Sequence, residues 1–276
     1  MIRYTLDDPE LIFNPGRQAS FLALIRTLRD LSGKKHVTEL SFRDKWLDLS
    51  TESGTVFENG WYAPPPRGTA VLFGERLNFD SLRNRQNWSG DTVIDWDNGS
   101  LYAYSSAVDR QTGRMGDLSV TLNWGSDHKT ADHIRNCHEA VLCLFSRMES
   151  VCTAADLFRL SGEVFKSHHL LSTVISRTDN LPSNLGHTFE SIPVRHDAPD
   201  LTEEERTALS GKRRFLNAGA EWSFEPGLQF TVEPQLISET DSSLPKITQH
   251  YLVQARSDGF CVCNDIDFLL SQYGLS

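Results

Sequence analysis

An α+β fold is expected for this chain, with two pairs of helices covering one face of a curved antiparallel sheet. Helix-periodic stretches come two by two, segments that alternate like antiparallel strands flank each pair, and no shift of composition marks a linker. Length alone allows one large domain or two small ones, and the even composition favours a single domain over positions 1–276.

Residues 17–31 repeat apolar side chains at three- and four-residue intervals, the spacing of a helix with one buried face, and Gly33 provides a stop. Thr38–Asp48 predicts a second amphipathic helix with Thr38 as its N-cap. Pro64-Pro65-Pro66 forbids regular helix and marks a rigid loop. Strand signals follow at Thr69–Phe73, Asp91–Asp97, Leu101–Tyr104 and Leu118–Trp124. The second helix pair is expected over His133–Met148 and Ala154–His168, and strands return at Gln229–Pro234 and Tyr251–Ala255. Residues 196–213, rich in Asp, Glu and Arg, read as a solvated excursion between strands.

Composition narrows the function. Apolar residues at 39% and charged residues at 23% suit a globular chain and argue against long disorder. A net charge of −10 and a pI near 5.4 disfavour a nucleic-acid surface, which needs clustered Lys and Arg, and favour small or peptidic partners. No run of about 18 apolar residues and no basic-then-apolar leader occur, so no membrane span is expected and the cytoplasm is the expected location. Five cysteines without zinc-knuckle spacing are expected as buried free thiols. His133 and His138 are expected in solvent near a helix start, and His168-His169 to interact with a helix dipole. Trp61, Tyr62 and Trp88 are expected in core or loop packing, with pocket-shaping beside the proline loop as the alternative.

The chemistry concentrates in three short segments. Gly186-His187 is followed nine residues on by His196-Asp197-Ala198-Pro199, and later by Gly227-Leu228-Gln229-Phe230-Thr231-Val232-Glu233-Pro234. Two histidines and a glutamate in this order are donors suited to a carboxylate-rich metal site. Glu233 inside an apolar strand also needs a partner, because burying a lone carboxylate is costly. Together these segments resemble the C-terminal half of the pita-bread superfamily, which includes methionine aminopeptidase, aminopeptidase P, prolidase and the metal-free creatinase. The resemblance covers the last two-thirds of the chain, more weakly the first third, and implies the pita-bread fold.

By that resemblance His187 and Glu233 are metal ligands and His196 is the catalytic histidine facing the substrate. The superfamily holds two metals with two Asp, one His and two Glu. The first Asp is sought after Gly90-Asp91, where Asp95 and Asp97 alternate to one face and Asp95 is favoured. Asp117, in Met115-Gly116-Asp117-Leu118, fits the second, with Val120 where Arg is expected. It lies 22 positions beyond Asp95, twice the superfamily spacing, so the intervening hairpin must be longer. An alternative alignment puts Tyr104-Ser105-Ser106-Ala107 at this second position and loses the Asp. In the last ligand strand Thr248 stands where the bridging Glu belongs, and His250, on the same strand face, is a substitute ligand. The upstream histidine of many superfamily peptidases is missing from Leu77–Arg83.

The expected site is therefore mononuclear, taking one divalent Mn, Fe, Co or Zn ion from among Asp95, Asp117, His187, Glu233 and His250. Three functions fit: a metallopeptidase-like hydrolase of peptides or small amides; a creatinase-like or recast-metal enzyme acting on a small polar metabolite; and a non-catalytic binding module. A homodimer is compatible with the fold.

Overall fold

A computed structural model describes residues 14–62, 64–173 and 179–273. Helix α1 (Pro15–Leu31) begins where Asn14 accepts the Arg17 amide and Pro15 sets the first turn, and it buries Arg17, Ser20, Phe21, Leu24 and Leu28 at the predicted three- and four-residue spacing. Helix α2 (Glu39–Thr51) starts on a reciprocal capping box between Thr38 and Ser41. This pair packs on an antiparallel sheet of β1 (Thr69–Phe73), β2 (Gly99–Val108) and β3 (Met115–Trp124), in the order β1-β2-β3.

The second pair is α3 (His128–Ser146), capped by Asp127, and α4 (Ala154–Ser167), with a capping box between Thr153 and Asp156. Strand β4 (Leu170–Ser172) follows, and α5 (Glu203–Lys212) forms within the charged excursion. The chain then runs through β5 (Gln229–Val232), β6 (Gln235–Ser238), β7 (Ile247–Thr248), β8 (Tyr251–Arg256) and β9 (Gly259–Val262) to α6 (Asp265–Tyr273). These strands make two further sheets, β4-β6-β7 and β5-β8-β9. A bridge between Val120 and Gln249 ties β3 to the turn joining β7 and β8. One apolar cluster extends from Leu24 and Phe42 through Val120 and Leu122 to Leu144, Phe165, Phe230 and Tyr251, so both helix pairs share a core. Truncating a side chain as enclosed as Leu144 to Ala would cost about 2–5 kcal/mol.

Two local expectations are corrected. Residues 91–97 form no ladder: Glu39 N–H bonds to Thr92 O and Ile94 N–H to Val37 O, so this segment spends its hydrogen bonds on the entry to α2. His133 is buried, 5% exposed, with Nε2 3.1 Å from Pro245 O, because α3 begins a turn and a half earlier than its apolar period suggests. Of the five thiols, Cys137, Cys261 and Cys263 are buried, Cys143 is half-buried and Cys152 is exposed. Among the described residues no helix is long and apolar enough to cross a membrane.

Candidate metal centre

Asp117 on β3, His187 in the stretch before α5 and Glu233 at the end of β5 come together although 116 residues separate the first from the last. Backbone pairing explains the convergence. His187 bridges to Phe215 and Thr188 to Phe230, which lays the Gly186-His187 segment alongside β5. One donor atom from each of Asp117, His187 and Glu233 lies within 4.8 Å of the others. Asp117 is 1% exposed and His187 3%, while 12% of the Glu233 side chain remains open to a cavity of about 360 Å³.

The state of His187 is fixed by its other nitrogen. Nδ1 lies 3.0 Å from Thr188 O, and since a carbonyl can only accept, Nδ1 carries the proton. Nε2 then faces Asp117 Oδ2 at 3.4 Å and Glu233 Oε1 at 3.9 Å. A neutral imidazole would present its lone pair to two carboxylates, so this geometry calls for either a proton on Nε2 or a cation in the middle. Two hard oxygen donors and one imidazole, all desolvated, form a donor set suited to a divalent ion.

Charges around the cluster are unequal. Burial, and secondarily the neighbouring Asp117, pushes the Glu233 carboxyl up to about 7 against the pull of His187 and Arg213. His250 sits beside the cluster with Nδ1 3.4 Å from Glu233 Oε2, and burial, then the positive Arg17, holds it well below the usual histidine range, so it is a neutral imidazole. Arg213 lies over the rings of Trp61 at 4.5 Å and Phe215 at 5.0 Å, its pKa lowered by burial and supported by Asp117 and Glu233. Tyr62, Tyr102, Tyr104 and Phe79 line the remaining wall.

A fully buried guanidinium supports the cluster from behind. Arg17 pairs with Asp265 at 2.6 Å and donates to the backbone carbonyls of Asp117 and His250. Gly116 makes room for it: a Cβ there would lie 2.5 Å from Arg17 N and 2.6 Å from Asn14 Oδ1, so only glycine lets α1 approach β3 this closely.

The structure does not bring every expected residue into this site. Asp95 is exposed, and its Oδ1 accepts from the Asp97 amide in a turn. The strand beside Asp117 is instead β2, whose Ser106 stands opposite it, so the Tyr104–Ala107 segment neighbours Asp117 rather than replacing it. His196 is also outside the cavity, exposed, with Nδ1 2.7 Å from Arg110 O. Pairing of Arg114 with Ser191, and of Met115 N–H with Glu190 O, draws that segment along the start of β3 and carries His196 away. Thr248 does line the cavity, as does His250. Sequence reading passed over Arg17 and Arg213. A charged residue at an apolar-face position of α1 was the available signal for Arg17, whereas Arg213 closes a charged run and carried none.

The sequence matches no family profile and no curated protein. Solved structures do match. The X-Pro aminopeptidase from Thermotoga maritima MSB8 superposes with a TM-score of 0.59 at 14% identity, over 93% of this chain and 61% of that one. The prolidase from Pyrococcus furiosus gives 0.58 at 16%, over 95% and 65%. The N-terminal domain of FACT complex subunit SPT16 from Cicer arietinum gives 0.60 at 12%, over 98% and 61%. The chain has the pita-bread fold. It spans about three-fifths of the length of these neighbours. At such identities the likeness establishes architecture, and the chemistry rests on the cluster itself.

Proposed function

We propose that this pita-bread chain is a peptidase-like metallohydrolase that works with one divalent ion held by Asp117, His187 and Glu233. The orientation of His187 carries the proposal: its Nδ1 proton is spent on Thr188 O, and Nε2 points between two buried carboxylates. A bound ion would polarise a scissile carbonyl and lower the pKa of its water.

The remaining residues have distinct tasks. His250, in place of His196, is the imidazole facing the cavity, where it orients the substrate through a hydrogen bond. Arg213 supplies a fixed positive charge beside the reacting group. Trp61, Tyr62, Tyr104 and Phe215 bound an open cleft of about 360 Å³, a size suited to a peptide or small amide. That two of the structural neighbours are an X-Pro aminopeptidase and a prolidase agrees with an amide substrate, and an imidazole with two carboxylates suits an ion among Mn, Fe, Co and Zn. We read the chain as a single catalytic unit.

The test is elemental analysis of protein purified without chelator, beside His187→Ala and Glu233→Ala. One equivalent of metal, lost in both variants, is the expected result. No metal in any sample overturns the proposal and favours metal-free C–N cleavage, for which the His250–Glu233 contact at 3.4 Å is the acid–base pair.

A further inference from the structure

Resting on the single-ion reading, we propose that Trp61 is a positioning residue that holds Asp117 for one ion and closes the place where a second would bind. The argument begins with strand alternation. Tyr102, Tyr104 and Ser106 share one face of β2, and Ser106 is registered opposite Asp117. A second ion needs another carboxylate near Asp117, and the position that faces it carries a hydroxyl.

That hydroxyl is already engaged by the loop that carries Trp61. Ser106 Oγ donates to Gly68 O at 3.0 Å and accepts from Tyr62 N at 3.3 Å, while Ser106 O accepts from Trp61 N at 3.0 Å. Space is exhausted as well: a Cβ on Gly60 would lie 2.2 Å from Ser106 Oγ, and one on Gly68 2.4 Å from it. The loop backbone fills the volume that a longer acidic side chain at 106 would enter.

Trp61 then divides the two oxygens of Asp117. Its indole N–H donates to Oδ1, leaving Oδ2 as the atom that faces His187. The ring stands edge-on to His187, centroids 5.6 Å apart, and carries Arg213 above it. A carboxylate that bridges two ions with one oxygen on each needs both oxygens free, so an N–H donor on Oδ1 opposes that bridge and fixes Asp117 with Oδ2 toward one ion. Hydrogen-bond partners behind metal ligands typically set affinity by about 10–100-fold.

The experiment titrates the metal-stripped full chain with Zn²⁺ by calorimetry, beside Trp61→Phe, and follows the Trp61 indole N–H by ¹⁵N NMR, identified by its loss in the variant. Wild type is expected to bind one equivalent with a shift of the Trp61 indole resonance, and Trp61→Phe to bind one equivalent about 10–100-fold more weakly. Two equivalents in wild type overturn both this inference and the single-ion reading, whereas an unmoved indole resonance or equal affinity in the variant overturns the role of Trp61 alone. No Zn²⁺ binding to wild type overturns this inference together with the single-ion reading. Should Trp61→Phe fail to fold by circular dichroism, Ser106→Ala, which cuts the loop's ties to the Ser106 hydroxyl, is expected to weaken Zn²⁺ binding, and unchanged affinity there counts against the proposal.

Discussion

Arg17 at the start of α1 and Asp265 at the start of α6 form an ion pair 2.6 Å apart with neither side chain exposed, and the same guanidinium holds the carbonyls of Asp117 and His250. The pair is therefore a strut for the site as well as an element of the core. Removing one partner strands the other charge in the interior. Arg17→Met is expected to destabilise the fold by about 3–5 kcal/mol in urea denaturation. The double variant Arg17→Met/Asp265→Leu should recover much of that loss, and a double variant no more stable than the single one would contradict this account.

Stripping the proposed ion should lower thermal stability, because a ligand bound only by the folded state stabilises it by mass action. At a free metal concentration of about 100 times Kd the gain is about 2.7 kcal/mol. For a chain of this size that corresponds to a fall in Tm of roughly 5–10 °C on chelation. Calorimetric scans with and without chelator read the effect, and identical melting curves would weigh against a resident ion.

The two histidines His196 and His250 should separate in activity assays. His196→Ala, on the surface beside Arg110, is expected to leave metal content unchanged and stability within about 0.5 kcal/mol. His250→Ala, inside the cavity, is expected to lower kcat/KM by about 10²-fold or more on an amide substrate. The reverse ranking would restore the role that the sequence resemblance gave to His196.

Asp267 gives the fold a pH dependence of calculable sign. Burial, and then the neighbouring Asp265, pushes its carboxyl up to about 7, and its near neighbour His138 stands 3.8 Å away, too far for a hydrogen bond. The folded state thus binds more protons at Asp267 than the unfolded state between about pH 4 and pH 7, and stability falls as pH rises through that window. Asp267→Asn should be more stable than wild type at pH 8, by an amount on the order of 1 kcal/mol, and the difference should vanish below about pH 4. Denaturation midpoints across pH measure this, and a variant destabilised at pH 8 would refute the assignment.

The helices of the two pairs and several strands were legible because their patterns are local, whereas α5, inside the charged excursion, and α6 were not anticipated. The periodicity of α1 and the Thr38 cap of α2 are visible in a few residues, and the structure has both. Asp117, His187 and Glu233 stood out because each lies within a short motif, and strand pairing brings those segments to one cluster. Asp95 and His196 could not be placed in the same way. The path of residues 91–97 is set by bonds to the entry of α2, and that of residues 190–196 by pairing with the start of β3. Those are partners distant in sequence, which no local pattern records. Ser106 was hidden for a related reason, since its position opposite Asp117 depends on the length of the β2–β3 turn.

The strut beneath the site also sets a time order for biosynthesis. Arg17 and Asp265 are 248 residues apart, and the guanidinium that clasps the carbonyls of Asp117 and His250 gains its counter-charge only when α6 is present. A nascent chain that has exposed Asp117, His187 and Glu233 but not yet Asp265 holds three donors on an unbraced scaffold. With the proposed ion, metal loading is expected to follow emergence of α6 from the ribosome, so stalled or clipped chains ending before it should take up no ion, an outcome that ribosome-arrested fragments can check.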